Sequence, residues 1–286
     1  MLGFSPAVQY PGPLRTLSLP TGESVTYLRL GNRQPTLLFV HGLASHSPVW
    51  QHNLGPLSEW ATCVALDLPG HGRSAIEGVQ PSLVYYADVL AEVVRSLGLG
   101  PVVPVGHSMG GQISVIFALR YPWLVSRLVL VAPAGFEVYS EKDKELIQSQ
   151  FESFPVSSVI LLRYYNRALS HNPLGKVPPA QKAQVLVEAD SPAYARVLAR
   201  CISAMLREPI YPYLGQLTVP TLVIFGDDDG LIPNPALSKA TTRSIAQAAT
   251  ARIPKGRLAM VPGAGHFVQY EYPTVVNDHI EQFLRG

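Results

Sequence analysis

The chain has 286 residues, 47% hydrophobic and 15% charged, which excludes a disordered polymer and leaves room for a large core. A net charge of +2 is too small for a nucleic-acid surface, and no apolar run is long enough to span a membrane. The segment Met1-Leu2-Gly3-Phe4-Ser5-Pro6 has no basic region leading into an apolar one, so no signal peptide and a cytoplasmic protein are expected. Cys63 and Cys201 lie far apart, and Cys63 sits in an apolar strand pattern, so no disulfide is expected.

Residues 14–19 and 25–30 read as strands around the turn Pro20-Thr21-Gly22-Glu23, a hairpin at a sheet edge. Residues 36–40 are a short, wholly apolar run, the kind buried on both faces of a parallel sheet. A helix is expected over 49–60 and a second buried strand over 62–66. Ser82 is positioned to cap a helix whose apolar residues Leu83, Tyr86, Leu90, Val93, Val94 and Leu97 keep a 3.6 period, with Gly98 as its stop. The apolar run from Val102 ends at Gly106-His107-Ser108-Met109-Gly110 and passes into a helical pattern with Ile113, Phe117 and Ala118 inward. Another strand is expected over 127–131. The strand–helix rhythm then breaks over residues 136–215, which read as several helices rich in Pro and Tyr. It resumes with a strand over 219–225, a helical region over 235–250, a strand over 258–261 and a last helix to Leu284. The reading is an α/β fold with a mostly parallel central sheet and helices on both faces, its core formed by 1–135 and 216–286, and an inserted helical cap over 136–215.

Ser108 sits where a strand turns sharply into a helix, a turn that strains the backbone and pushes the side chain out at the sheet edge. Gly106 and Gly110 are needed there because a Cβ would collide with the neighbouring strand or helix. The Met109 N–H opens the helix, where partial positive charge favours an anion. A serine hydroxyl needs a base, and the base an orienting acid. His266, in the Gly-rich loop Pro262-Gly263-Ala264-Gly265-His266-Phe267, is the candidate base. The acid comes from Asp227, Asp228 or Asp229, adjacent carboxylates at the end of the 219–225 strand. No metal is expected: the aspartates do not form a calcium loop, and His41-x4-His46 lacks the glutamate of a zinc protease motif.

All the candidates follow predicted strands in the order Ser, Asp, His. With His41-Gly42, Asp67-Leu68-Pro69-Gly70-His71-Gly72-Arg73-Ser74, Gly106-His107-Ser108-Met109-Gly110 and the Gly226–Pro233 and Gly265-His266 segments, the sequence resembles the α/β-hydrolase fold family along essentially its whole length. The resemblance implies Ser108 as nucleophile, His266 as base and, from the spacing of Gly226 and Pro233, Asp229 rather than Asp228 as acid. It implies an oxyanion hole from the backbone N–H groups of Leu43 and Met109, with no cofactor. It implies that His41 shapes the oxyanion loop, that His107 packs as a polar core residue, and that Asp67 and Arg73 hold their loop. Epoxide hydrolases and haloalkane dehalogenases of this fold use Asp as nucleophile, unlike Ser108. The carbon–carbon bond hydrolases usually continue His-Gly with a Gly-Pro-Gly-like run, whereas this chain reads His41-Gly42-Leu43-Ala44-Ser45.

The expected function is a serine hydrolase that cleaves carboxylic esters of small, largely apolar molecules through an acyl-enzyme. Carbon–carbon hydrolysis, thioester hydrolysis and acyl transfer use the same residues, and a non-catalytic receptor would not need them. The expected partner is a small ester-like molecule, held against an apolar cap wall that includes Phe151, Phe154, Val159, Ile160, Leu161, Leu162, Tyr164 and Tyr165. The sequence sets no oligomeric state.

Overall fold

Short apolar strands fix the architecture, because a strand buried on both faces must be flanked by two layers of helices. The computed structural model describes residues 10–153, 167–168 and 191–286. Eight strands form one sheet in the order β1-β2-β4-β3-β5-β6-β7-β8. The strands β1 (Arg15–Ser18) and β2 (Ser24–Leu30) make an antiparallel hairpin at one edge. β2 lies antiparallel to β4 (Thr62–Leu66), and every pairing beyond it is parallel: β3 (Thr36–Val40), β5 (Val103–His107), β6 (Leu128–Val131), β7 (Thr221–Gly226) and β8 (Gly256–Val261).

Side-chain alternation along these strands divides the core in two. Leu38, Val40, Val64, Leu66, Leu130, Val223 and Phe225 pack on one face against α2 (Leu83–Ser96), α3 (Met109–Arg120) and α6 (Thr242–Thr250). Leu37, Phe39, Cys63, Ala65, Val129 and Ile224 pack on the other against α1 (Gln51–Ser58) and α8 (Pro273–Arg285). Each fully buried Leu, Ile, Val or Phe contributes about 1.5–3 kcal/mol. A one-residue slip would exchange the two sets, so register is strongly held. Ser82 caps α2 as expected, its Oγ accepting from Tyr85 N at 2.9 Å. Both cysteines are free and buried.

Three expectations change at proline-rich joints. The helix expected over 49–60 starts as a 3-10 turn, Ser47–Trp50, before α1. The region expected to be helical over 235–250 becomes so only after Thr241, whose hydroxyl caps α6. The last helix is split into α7 (Val268–Glu271) and α8, because Pro273 has no N–H and its ring opposes a helical Tyr272, which sits at φ −128°.

Between β6 and β7 the described residues hold α4 (Glu141–Ser153), α5 (Pro192–Arg207) and a 3-10 turn, Tyr211–Gln216, and no strand. α5 packs against both α4 and α2. Gln112 of α3 secures its end, donating from Nε2 to the carbonyls of Met205 at 3.0 Å and Glu208 at 2.9 Å. Of the residues expected in a cap wall, Phe154, Val159, Ile160, Leu161, Leu162, Tyr164 and Tyr165 lie outside the described residues, as does the side chain of Phe151. No helix among the described residues is long and apolar enough to cross a membrane.

Candidate active site

β5 ends at His107 and α3 begins at Met109, so Ser108 alone makes the turn, at φ 53° and ψ −119°. That left-handed conformation strains a residue with a Cβ and persists only where its surroundings fix it. Here Ser108 N–H donates to Val131 O at 3.0 Å, and Ser108 O accepts from Gly111 N at 2.9 Å and Ala134 N at 3.0 Å. Two glycines make the turn possible. A Cβ on Gly106 would run into Gly110 O and Ser114 Oγ, and one on Gly110 into the carbonyls of Val40 and His41.

The loop after β3 lies directly on this turn, since a Cβ on Gly42 would stand 3.0 Å from Ser108 Cβ. His41 holds the loop: its Nδ1–H donates to Gly42 O at 2.8 Å, and its Nε2 accepts from Leu68 N at 3.0 Å. Burial keeps this imidazole neutral, its pKa lowered. Asp67 secures the neighbouring loop through the N–H groups of Ser47 at 2.7 Å and Arg73 at 2.9 Å and through Tyr10 Oη at 2.8 Å. Among the described residues neither Leu43 N nor Met109 N has a hydrogen-bond partner. The latter is the first amide of α3, where a helix has no partner of its own to offer.

The three adjacent aspartates take different places. Asp229 is buried, and its Oδ2 accepts from His266 Nδ1 at 2.8 Å. Its Oδ1 accepts from the amides of Leu231 at 2.8 Å and Ile232 at 3.0 Å, which fixes the carboxylate plane. Asp227 instead accepts from Gly263 N at 2.7 Å and faces Arg243 at 3.6 Å. Asp228 is exposed. The carboxylate on Nδ1 leaves the lone pair of His266 on Nε2, which has no partner among the described residues. The backbone of His266 is held on both sides, its N–H donating to Ala168 O at 3.3 Å and its carbonyl accepting from His107 Nε2 at 3.0 Å.

Ser108 and His266 open on one cavity of about 670 Å³. Its wall is mainly apolar, with Leu43, Leu198, Ile202, Met205, Leu206 and Leu231, and also carries the polar Glu137, Tyr139, Lys144 and Arg167. Glu137 accepts from Asn234 N at 2.7 Å and so joins the exit of β6 to the loop that carries Asp229. Burial pushes its carboxyl above the usual range.

The sequence reading gave His107 a packing role only, and did not single out Gln112, Glu137 or Glu271. Gln112 lies one helical turn after Ser108, a spacing that does place it on the same face of α3. Glu137 and Glu271 sit in segments with no periodic signal. Two further buried histidines lie near His41: burial lowers His46 to about 4 and His71 to about 3. Among the described residues no group of three His, Cys, Asp or Glu could hold a metal ion.

Known proteins share this arrangement of strands. A thermophilic esterase from Thermogutta terrifontis superposes with a TM-score of 0.78 at 23% identity, over 96% of this chain and 98% of that one. A carboxylesterase from Bacillus subtilis does so with a TM-score of 0.76 at 20% identity, over 95% and 91%. In sequence, a 2-(acetamidomethylene)succinate hydrolase of Mesorhizobium japonicum is 27% identical over 262 residues, covering 87% of this chain and 88% of that protein. The alpha/beta hydrolase fold family model matches residues 35–273, and the chain belongs to that family of hydrolases.

Proposed function

We propose that the protein is a serine hydrolase that cleaves carboxylic esters of small, largely apolar molecules. One observation carries the reading: the strained Ser108 and His266, whose Nδ1 stands 2.8 Å from the buried Asp229 carboxylate, border the same mainly apolar cavity. Ser108 Oγ attacks the ester carbonyl carbon while His266 Nε2 takes its proton, and Asp229 stabilises the imidazolium. The tetrahedral oxyanion lies against the amides of Leu43 and Met109, the donors without partners among the described residues. His266 then gives its proton to the departing alkoxide as the carbon–oxygen bond breaks, leaving an acyl-enzyme. Water, deprotonated by the same imidazole, attacks the acyl carbon and releases the acid and free Ser108. No step draws on a metal or cofactor. The segment 136–215 acts as a cap, with α5 forming the wall opposite Ser108.

A second reading has its own observation. Lys144 and Arg167 line the cavity, and the Mesorhizobium relative is named for a succinate derivative. These favour a substrate with a carboxylate on its far end. A panel of purified protein against neutral esters, half-esters of dicarboxylic acids, thioesters, amides and vinylogous diketones tests both. Neutral esters turned over with the highest kcat/KM support the first reading. A preference for half-esters or anionic amides replaces it with the second, and cleavage of diketones alone contradicts ester chemistry.

A further inference from the structure

We propose that Glu271 is a positioning residue for His266, its carboxylate holding the base loop and favouring the protonated imidazole during turnover. The proposal rests on the reading of Ser108, His266 and Asp229 given above. Glu271 lies five residues after His266, at the end of α7, and is only 2% exposed. A carboxylate so deeply buried is costly unless it is hydrogen-bonded or paired with positive charge. Its Oε2 accepts from Gly265 N at 2.9 Å, the amide immediately before His266. The amide of Phe267, immediately after His266, also favours the charged form. Glu271 thus reaches both neighbours of the base from one side. The second oxygen, Oε1, is buried and has no hydrogen-bond partner among the described residues.

The packing leaves the loop little freedom. A Cβ on Gly265 would stand 2.9 Å from both Ala168 O and Glu271 Oε1, so the glycine is pressed between the segment 167–168 and this carboxylate. Of the ionisable groups, His266 favours the charged form of Glu271 and Asp229 opposes it, while burial raises its pKa overall. α1 packs against α7, but its His52 faces the ring of Tyr270, at 5.1 Å, rather than Glu271. An anion close to a histidine favours the imidazolium, the form His266 takes after accepting the Ser108 proton. Of the two carboxylates it is Asp229 that bonds the imidazole, so Glu271 acts through the loop and through its charge.

The test compares wild type, Glu271→Gln, Glu271→Asp and Ser108→Ala with p-nitrophenyl butyrate, recording kcat and KM across pH, circular dichroism and labelling by a fluorophosphonate. Glu271→Gln keeps the shape and an acceptor for Gly265 N but loses the charge. The expected result is a native spectrum, kcat lowered about 10- to 100-fold, the scale on which a metal-bound histidine suffers when its outer partner is lost, and KM within about twofold. The acid limb of kcat/KM should move to lower pH, because the charge favouring the imidazolium is gone. Glu271→Asp retains that charge and should keep the wild-type limb, which also decides the matter if Glu271→Gln fails to fold. A limb that stays in place in Glu271→Gln, or moves in Glu271→Asp, overturns the proposal whatever the loss of kcat. If Ser108→Ala is unlabelled in the same series, the reading of the site stands apart from that outcome. If Ser108→Ala labels and turns over like wild type, the reading falls and the proposal with it.

Discussion

His107 donates from Nε2 to the backbone carbonyl of His266 at 3.0 Å, tying the residue before Ser108 to the candidate base. The bond requires a proton on Nε2, and burial together with the nearby His266 holds this imidazole neutral, its pKa well below the usual value. The ring is also wedged between Phe267, at 4.9 Å, and Trp50, at 6.4 Å. A residue that reads from sequence as core packing is therefore part of the frame that sets the distance between strand β5 and the loop after β8.

His107→Phe keeps the aromatic packing and removes the donor. The His266 carbonyl is then left buried without its partner, a loss of about 1–3 kcal/mol. Urea unfolding should show a lower midpoint with an unchanged slope, and kcat should fall more than KM changes. An unaltered midpoint and unaltered kcat would mean that the bond carries no positioning.

Asp229→Asn should lose far more activity than Asp227→Asn or Asp228→Asn. Only Asp229 contacts His266, whereas Asp227 holds Gly263 and Asp228 faces solvent. An orienting carboxylate is worth roughly 10⁴ in kcat in a serine triad. Asp228→Asn is expected within about threefold of wild type, as an exposed substitution that leaves these bonds intact. A crippled Asp228→Asn beside an active Asp229→Asn would contradict the assignment.

Chain length tests the cavity. Its mainly apolar wall and volume of about 670 Å³ leave room for a medium acyl group. Each methylene buried contributes about 0.8 kcal/mol, roughly fourfold in kcat/KM when realised in the transition state. In a p-nitrophenyl series, acyl groups of about four to eight carbons should outperform acetate. A flat profile, or an advantage for succinyl half-esters, would shift weight to Lys144 and Arg167 in substrate recognition.

Acid should destabilise the fold through its buried histidines. His46 and His71 are held at about 4 and about 3, below the free value of 6.5, and His41 and His107 are also lowered. Within that window the unfolded chain binds more protons than the native one, so stability falls as pH falls. The loss should begin below pH 6.5 and run towards about pH 4 for His46 and about pH 3 for His71. Glu137 and Glu271, held above the usual carboxylate range, act in the opposite sense but are fewer. Melting temperatures between about pH 7.5 and 4 check this, and His71→Asn should flatten the slope. A melting temperature that rises on acidification would contradict it.

Much of this was legible in the sequence, for physical reasons that differ by element. The wholly apolar run of β3 and the alternation of Leu37 and Phe39 with Leu38 and Val40 specify a strand buried on both faces. The Ser108 turn is legible because only glycine fits where Gly106 and Gly110 meet backbone carbonyls. The order of Ser108, Asp229 and His266 follows from where strands end. What the sequence did not disclose depends on contacts between distant segments. Gln112 reaches Met205 and Glu208 at the end of α5, and His107 reaches His266, and no local pattern encodes either pairing. The division of α7 from α8 has a local cause in Pro273, but the docking of Glu271 beneath the base loop has none.

Covalent labelling decides whether Ser108 is the nucleophile. Purified wild type and Ser108→Ala are treated with a serine-directed fluorophosphonate and measured by intact mass, with circular dichroism as the control for folding. One phosphonyl adduct is expected on wild type, mapped to the peptide containing Ser108, with loss of esterase activity in proportion to labelling. A natively folded Ser108→Ala should show no adduct and no turnover. An adduct on that variant, or ester hydrolysis near the wild-type rate, would contradict Ser108 as the nucleophile.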